Sequence, residues 1–163
     1  MKILSMKTTI FLGAMLSLLV CLMFTGCSNS ETNSTSRGLT DFAHIEEEYL
    51  ATIDSLNWPD GITLPDKLED EDTGSSFQVG YGETRASYLW EYSWMKEWLD
   101  TYNTGPERAE KALEELEKAF DMPYMGIDRC DDATRNYLRE NIDKAKLGDP
   151  SGFTESIRAN YAN

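Results

Sequence analysis

The sequence predicts an all-α fold: a small bundle of about five helices around a central tryptophan-rich helix, with an irregular Pro/Gly-containing segment packed against it. Three observations carry this. From Thr40 onward apolar residues recur at three- and four-residue spacing, the period of one helix face. Proline and glycine fall mostly between these periodic stretches, where they stop helices. One stretch, TRASYLWEYSWMKEWLDTYN from Thr84 to Asn103, holds three of the four tryptophans, more aromatic surface than an outer helix can cover.

The elements follow in order. Phe42, Ile45, Tyr49, Ile53 and Leu56 form the apolar face of a first helix, with Glu46, Glu47 and Glu48 directed elsewhere. Thr40 or Asp41 can cap its start and Asn57-Trp58-Pro59 ends it. Residues 57–84 carry proline and glycine punctuation and the acids Asp66, Glu69, Asp70, Glu71 and Asp72, which oppose helix formation. Phe77, Val79 and Tyr81 alternate as a short strand does, but a lone strand has no partner, so an extended segment is expected, with Trp58, Leu64 and Phe77 packed onto helices.

In the second helix Tyr88, Tyr92, Met95, Leu99 and Tyr102 make one stripe and Trp90, Trp94 and Trp98 a second beside it, covering more than half the circumference. A helix so apolar is buried by neighbours on several sides. Pro106 suits the first turn of a third helix, with Ala109, Ala112, Leu113, Leu116, Ala119 and Phe120 inward and Met122-Pro123 closing it. A fourth starts at Asp131 or Asp128, turns Tyr137, Leu138, Ile142 and Ala145 inward and stops at Gly148. A short fifth follows Asp149-Pro150 with Phe153, Ile157 and Tyr161. No 34-residue self-similarity is present, which excludes a helical-repeat array.

Ahead of this domain, Lys2 and Lys7 lie in a short n-region, and Ile10 to Phe24 runs 15 residues without charge or proline. Such a run falls short of the roughly 20 helical residues that cross a hydrocarbon core and fits a signal-peptide h-region. Phe24-Thr25-Gly26-Cys27 then resembles the bacterial lipobox, with Phe24 where Leu is usual. The resemblance implies that residues 1–26 are a lipoprotein signal peptide, that Cys27 becomes the diacylated first residue, and that 27–39 are a lipidated linker before a helical domain of 40–163. The alternatives are ordinary secretory cleavage nearby or an uncleaved anchor. Residues 28–38, SNSETNSTSRG, bury too little apolar area to fold, and a coil of that length reaches roughly 20 Å. Asn33-Ser34-Thr35 fits a glycosylation sequon but reads as linker.

Charge narrows the partners. The formal net charge is −14, and removing the leader takes away two lysines and no acid. Such acidity opposes nucleic-acid binding, which needs a phosphate-neutralising surface, and opposes lying on anionic lipid. Membrane attachment would rest on the acyl chains, at about 0.8 kcal/mol per buried CH₂. Residues 41–72 hold eleven acids against Lys67 alone, whereas 128–158 hold seven acids against six bases. An acidic face toward a basic partner or a soluble surface both fit that imbalance.

Chemistry-bearing motifs are scarce. Cys21 leaves with the leader and Cys27 is the lipidation site, so Cys130 remains alone, without a disulfide framework and far in sequence from His44. It reads as a structural thiol. His44, the one histidine, sits among glutamates on a solvent-facing helix position, which excludes histidine-pair zinc sites and Ser-His-Asp sets; no GxSxG occurs. Gly80-Tyr81-Gly82 opens like a dinucleotide fingerprint, but Arg85 stands where its third glycine belongs; backbone freedom for an abrupt helix entry is the expected role. The acidic run could offer oxygen ligands to calcium, yet the EF-hand order fails at Gly74 and Tyr81, and a solvated loop is the simpler reading. Trp58, Trp90, Trp94 and Trp98 are candidate ligand-contact aromatics, since such rings stack on sugars and peptides; the helical period of the last three points instead to core.

Trp58-Pro59, Gly80-Tyr81-Gly82, the Trp90 to Trp98 helix and Gly148-Asp149-Pro150-Ser151-Gly152-Phe153 together resemble small uncharacterised lipoproteins of Gram-positive, especially actinobacterial, bacteria. That resemblance implies a location on the outer face of the cell membrane and no particular activity. The expectation is a non-enzymatic protein-interaction or scaffold domain, without cofactor, whose partners are the membrane through its anchor and an envelope protein or wall polymer. Two alternatives remain: a small binding module for cell-wall glycan, peptide or cation, and a carboxylate-dependent wall hydrolase.

Overall fold

The structure, a computed structural model, describes residues 38–69 and 71–161. It is a helical bundle: α1 Phe42–Ser55, α2 Tyr81–Thr101, α3 Pro106–Glu117, α4 Asp132–Lys146 and α5 Ser151–Asn160, with 3₁₀ turns at Lys118–Asp121 and Pro123–Met125. None of the described helices is long and apolar enough to cross a membrane.

Each helix starts for a reason visible in the chain. Asp41 caps α1 by accepting from the His44 amide at 3.1 Å, and Asp131 caps α4 by accepting from the Thr134 amide at 2.7 Å. Pro106 opens α3, where its missing N–H costs nothing. The start of α2 is different. Gly80 adopts φ +87°, a left-handed conformation open to glycine, and the Gly80 and Gly82 amides donate to Glu48 of α1 at 2.7 and 3.2 Å. The Gly-Tyr-Gly turn thus holds a carboxylate of its own chain, and α2 begins earlier than its aromatic stripe. A methyl on Gly82 would lie 1.8 Å from the Ile45 carbonyl oxygen, so α1 and α2 touch backbone to backbone there.

One expectation is corrected. Phe77–Gln78 (β2) does have a strand partner, Leu39–Thr40 (β1), in antiparallel register with Leu39 opposite Gln78 and Thr40 opposite Phe77. The Val79 amide extends the pairing to the Gly38 carbonyl at 3.1 Å. Leu39, assigned above to the linker, therefore belongs to the folded domain.

Helix α2 lies between two apolar clusters. On one side Trp90, Trp94, Met95 and Trp98 pack with Leu116, Leu138, Ile142 and Phe153 of the later helices. On the other, Ala86 joins Ile45, Tyr49 and Ile53 of α1 and Leu68 of the irregular segment; Trp58 packs against both. Because α2 is covered on several sides, its buried small polar residues bond within the helix. Ser87, Ser93 and Thr101 donate to the carbonyls of Glu83, Leu89 and Glu97 at 2.8, 2.7 and 2.6 Å, so their burial leaves no hydroxyl unpaired. At α4 and α5 the approach is again close: a methyl on Gly152 would meet the Asn141 side chain at 2.6 Å.

Candidate functional site

The three tryptophans of α2 are core. Trp90, Trp94 and Trp98 are 1, 1 and 2% exposed, and the indole N–H groups of Trp90 and Trp94 both donate to the Asn57 carbonyl, at 2.8 and 3.1 Å. Trp58, partly buried, donates its indole N–H to the Ile53 carbonyl at 2.9 Å. Phe153 meets the Trp98 ring edge-on at 5.4 Å and Tyr102 stacks on it at 4.7 Å. A stacking platform needs open ring faces, so the stripe of α2 does not offer one to a sugar or peptide.

The other residues singled out by sequence are spread apart in function. Cys27 lies outside the described residues. The Cys130 thiol, 3.5 Å from the Met125 sulfur, is pushed above its ordinary value by burial, which suppresses the reactive thiolate. His44 is largely exposed, with its imidazole 3.3 Å from Glu48. In the acidic segment Glu71 accepts from the Tyr81 hydroxyl at 2.7 Å and faces Arg85 at 3.5 Å. Asp72 binds the Gly74 amide and Ser75 hydroxyl at 3.0 and 2.9 Å. No group of three or more His, Cys, Asp or Glu among the described residues is arranged to hold a metal ion.

The site that the fold does build lies elsewhere on α2, around Glu91. A cavity of about 540 Å³ is lined by Tyr88, Leu89 and Glu91 of α2, Tyr137 and Leu138 of α4, Ser156 and Asn160 of α5 and the adjoining Tyr161. Tyr49 of α1, Arg85 of α2, Thr134 of α4, Met125 and the irregular segment at Pro65 and Lys67–Glu69 complete the wall. That volume is in the range of small-molecule sites.

Glu91 is 8% exposed. Its Oε2 accepts from the Tyr124 hydroxyl at 2.9 Å, and no ion pair reaches it from the described residues. Desolvation pushes its carboxyl up to about 7, and the Tyr124 hydrogen bond pulls in the opposite direction. Tyr124 is itself held above the usual phenol range by burial and by the Glu91 charge, so its proton stays on oxygen and it remains the donor. Tyr161 donates to the Tyr88 carbonyl at 3.2 Å and lies against Tyr92 at 4.9 Å, fixing the last turn of the domain against α2. Tyr88 meets Tyr124 edge-on at 5.7 Å.

Sequence reasoning passed over Glu91, although a signal was there. Residue 91 stands three after Tyr88 and four before Met95, on the apolar stripe itself, where an acid has no solvated face to occupy. No protein-family model, curated protein or solved structure matches the chain.

Proposed function

We propose that this chain is a membrane-anchored extracytoplasmic lipoprotein whose helical domain is a small, non-enzymatic binding module, with the cavity over Glu91 as its ligand site. The observation that carries this reading is the cavity itself: tyrosines of α1, α2, α4 and the C-terminal turn, with Leu68, Leu89 and Leu138, converge around the buried polar residues Glu91 and Ser156. Aromatic and aliphatic surface set around placed polar groups suits a ligand pocket, and this wall combines the two. Glu69, the second carboxylate on the lining, is exposed and 3.0 Å from Lys67. Paired-carboxylate hydrolysis would thus have to draw on a group already engaged, which favours binding over a wall hydrolase.

The scaffold reading has less support. Leu39 of β1 with Val79 just past β2, Ile127 before α4 and Leu147 after α4 are exposed, but they lie on separate segments, and small groups of exposed apolar side chains are ordinary.

Amide NMR of the full chain tests the cavity. Titration with a set of neutral, cationic and anionic fragments is expected to move the signals of residues 88–91 and 156–161, and Thr134→Trp at the cavity edge is expected to abolish those shifts. Signals in both segments that stay fixed for every fragment would overturn the reading.

A further inference from the structure

The charge of the cavity over Glu91 is unbalanced in one direction. Tyr124 occupies only Oε2. Oε1 accepts no hydrogen bond from the described residues. Among them, the side-chain nitrogen or oxygen sealed away without a partner is Asn141 Nδ2, so Oε1 is not sealed and opens on the cavity that Glu91 lines. The two cations on the lining are engaged with acids of their own, Lys67 with Glu69 at 3.0 Å and Arg85 with Glu71 at 3.5 Å. The titratable groups whose own values register the Glu91 charge are Tyr88 on α2, Tyr124 and Cys130 before α4, and Tyr161 after α5, while α1 and α4 bring Tyr49 and Tyr137 to the same cavity. The first four are held above their ordinary values and stay neutral at physiological pH, so none adds a second negative charge, and phenols and thiols carry no positive charge in either form.

Building on the binding reading above, we propose that the ligand is a primary or secondary ammonium that donates an N–H to Glu91 Oε1, with its apolar substituent among the rings of Tyr88, Tyr137 and Tyr161. An ionised carboxylate buried without a cation is costly, and an incoming ammonium removes that cost while filling the open acceptor. Tyrosine faces attract the same charge. A quaternary ammonium has no N–H for Oε1, and a carboxylate ligand meets a like charge at the cavity floor.

The test is calorimetric titration of the full chain in detergent with phenethylammonium chloride, 2-phenylethanol and phenylacetate, near pH 8.5 and near pH 5.5, on either side of the Glu91 value of about 7. At the higher pH the amine is expected to bind at least about tenfold more tightly than the alcohol of the same shape. It should weaken by about tenfold or more at the lower pH, where Glu91 takes up a proton. Glu91→Gln is expected to erase both effects while still binding the alcohol, which reports an intact cavity. If the alcohol or the carboxylate binds the wild type as tightly as the amine, or the amine keeps its affinity and pH profile in Glu91→Gln, the ammonium assignment falls and the cavity reading stands. If none of the three binds either protein, with both folded by circular dichroism, the cavity reading falls with it.

Discussion

At the scale of single residues, burial is answered by a local hydrogen bond almost everywhere on α2, and Glu91 is where the answer is incomplete. Its carboxyl is raised from 4.5 to about 7 by desolvation, so in that interval the folded chain holds a proton that the unfolded chain has lost. The stability this represents is fully present below about 4.5 and is lost as the pH rises through about 7, a change of roughly 3 kcal/mol at most. Glu91→Gln is therefore expected to be more stable than the wild type near pH 8 and to lose that advantage near pH 4, as read by urea unfolding at both values. An equal difference at both pH values would show that ionisation is not the cause. Tyr124→Phe removes the one hydrogen bond that favours the charged form, so the Glu91 carboxyl signal in NMR is expected to titrate still higher than in the wild type. The burial of Trp90, Trp94 and Trp98 was legible because their spacing names a single face. The Asn57 carbonyl that takes two indole N–H groups was not, since a loop oxygen's position depends on where α1 ends against α2.

At the scale of elements, the joint between α1 and α2 depends on a few atoms. Glu48 places its carboxylate on the Gly80 and Gly82 amides at 2.7 and 3.2 Å, satisfying donors that a helix start leaves open and meeting the positive end of the α2 dipole. Glu48→Ala is expected to cost about 2 kcal/mol, the range for hydrogen bonds to a charged acceptor, and Glu48→Gln less than half of that, both measured by denaturant unfolding. Gly82→Ala puts a methyl against the Ile45 carbonyl, and prising the two helices apart is expected to cost roughly 1–3 kcal/mol. A Gly82→Ala protein as stable as the wild type would mean that the helices do not approach as described. Helix positions along the chain were readable because periodicity and caps are local properties. Glu48 was read only as an outward acid, and the β1–β2 pair was missed, for one reason: each partner lies far along the chain, and a two-residue strand carries no signal of what it pairs with. The cavity shares that limit, since six elements supply its walls and no stretch of sequence contains more than a fragment of it.

At the scale of the whole molecule, charge and attachment have to be considered together. The chain carries a formal −14, and the cations of the described domain are largely spent on its own acids: Arg108 on Glu97 at 2.7 Å, Arg129 on Glu83 at 2.5 Å and Lys118 on Glu115 at 2.6 Å. A surface of this kind gains nothing from an anionic bilayer, where each acid is repelled and the repulsion is screened beyond roughly 10 Å. The proposed anchor at Cys27 must then supply all of the membrane affinity, and two acyl chains are enough to do so where one is marginal. Two consequences distinguish this from electrostatic adhesion. Washing membranes with concentrated salt is expected to leave the wild-type protein in place, because screening does not weaken acyl burial. Cys27→Ser is expected to remove the palmitate label and release the protein to the soluble fraction, with its helical circular dichroism unchanged because residue 27 precedes the folded domain. A Cys27→Ser protein that remained with the membranes at every salt concentration would place the attachment elsewhere in the chain, most simply in an apolar leader that is never removed.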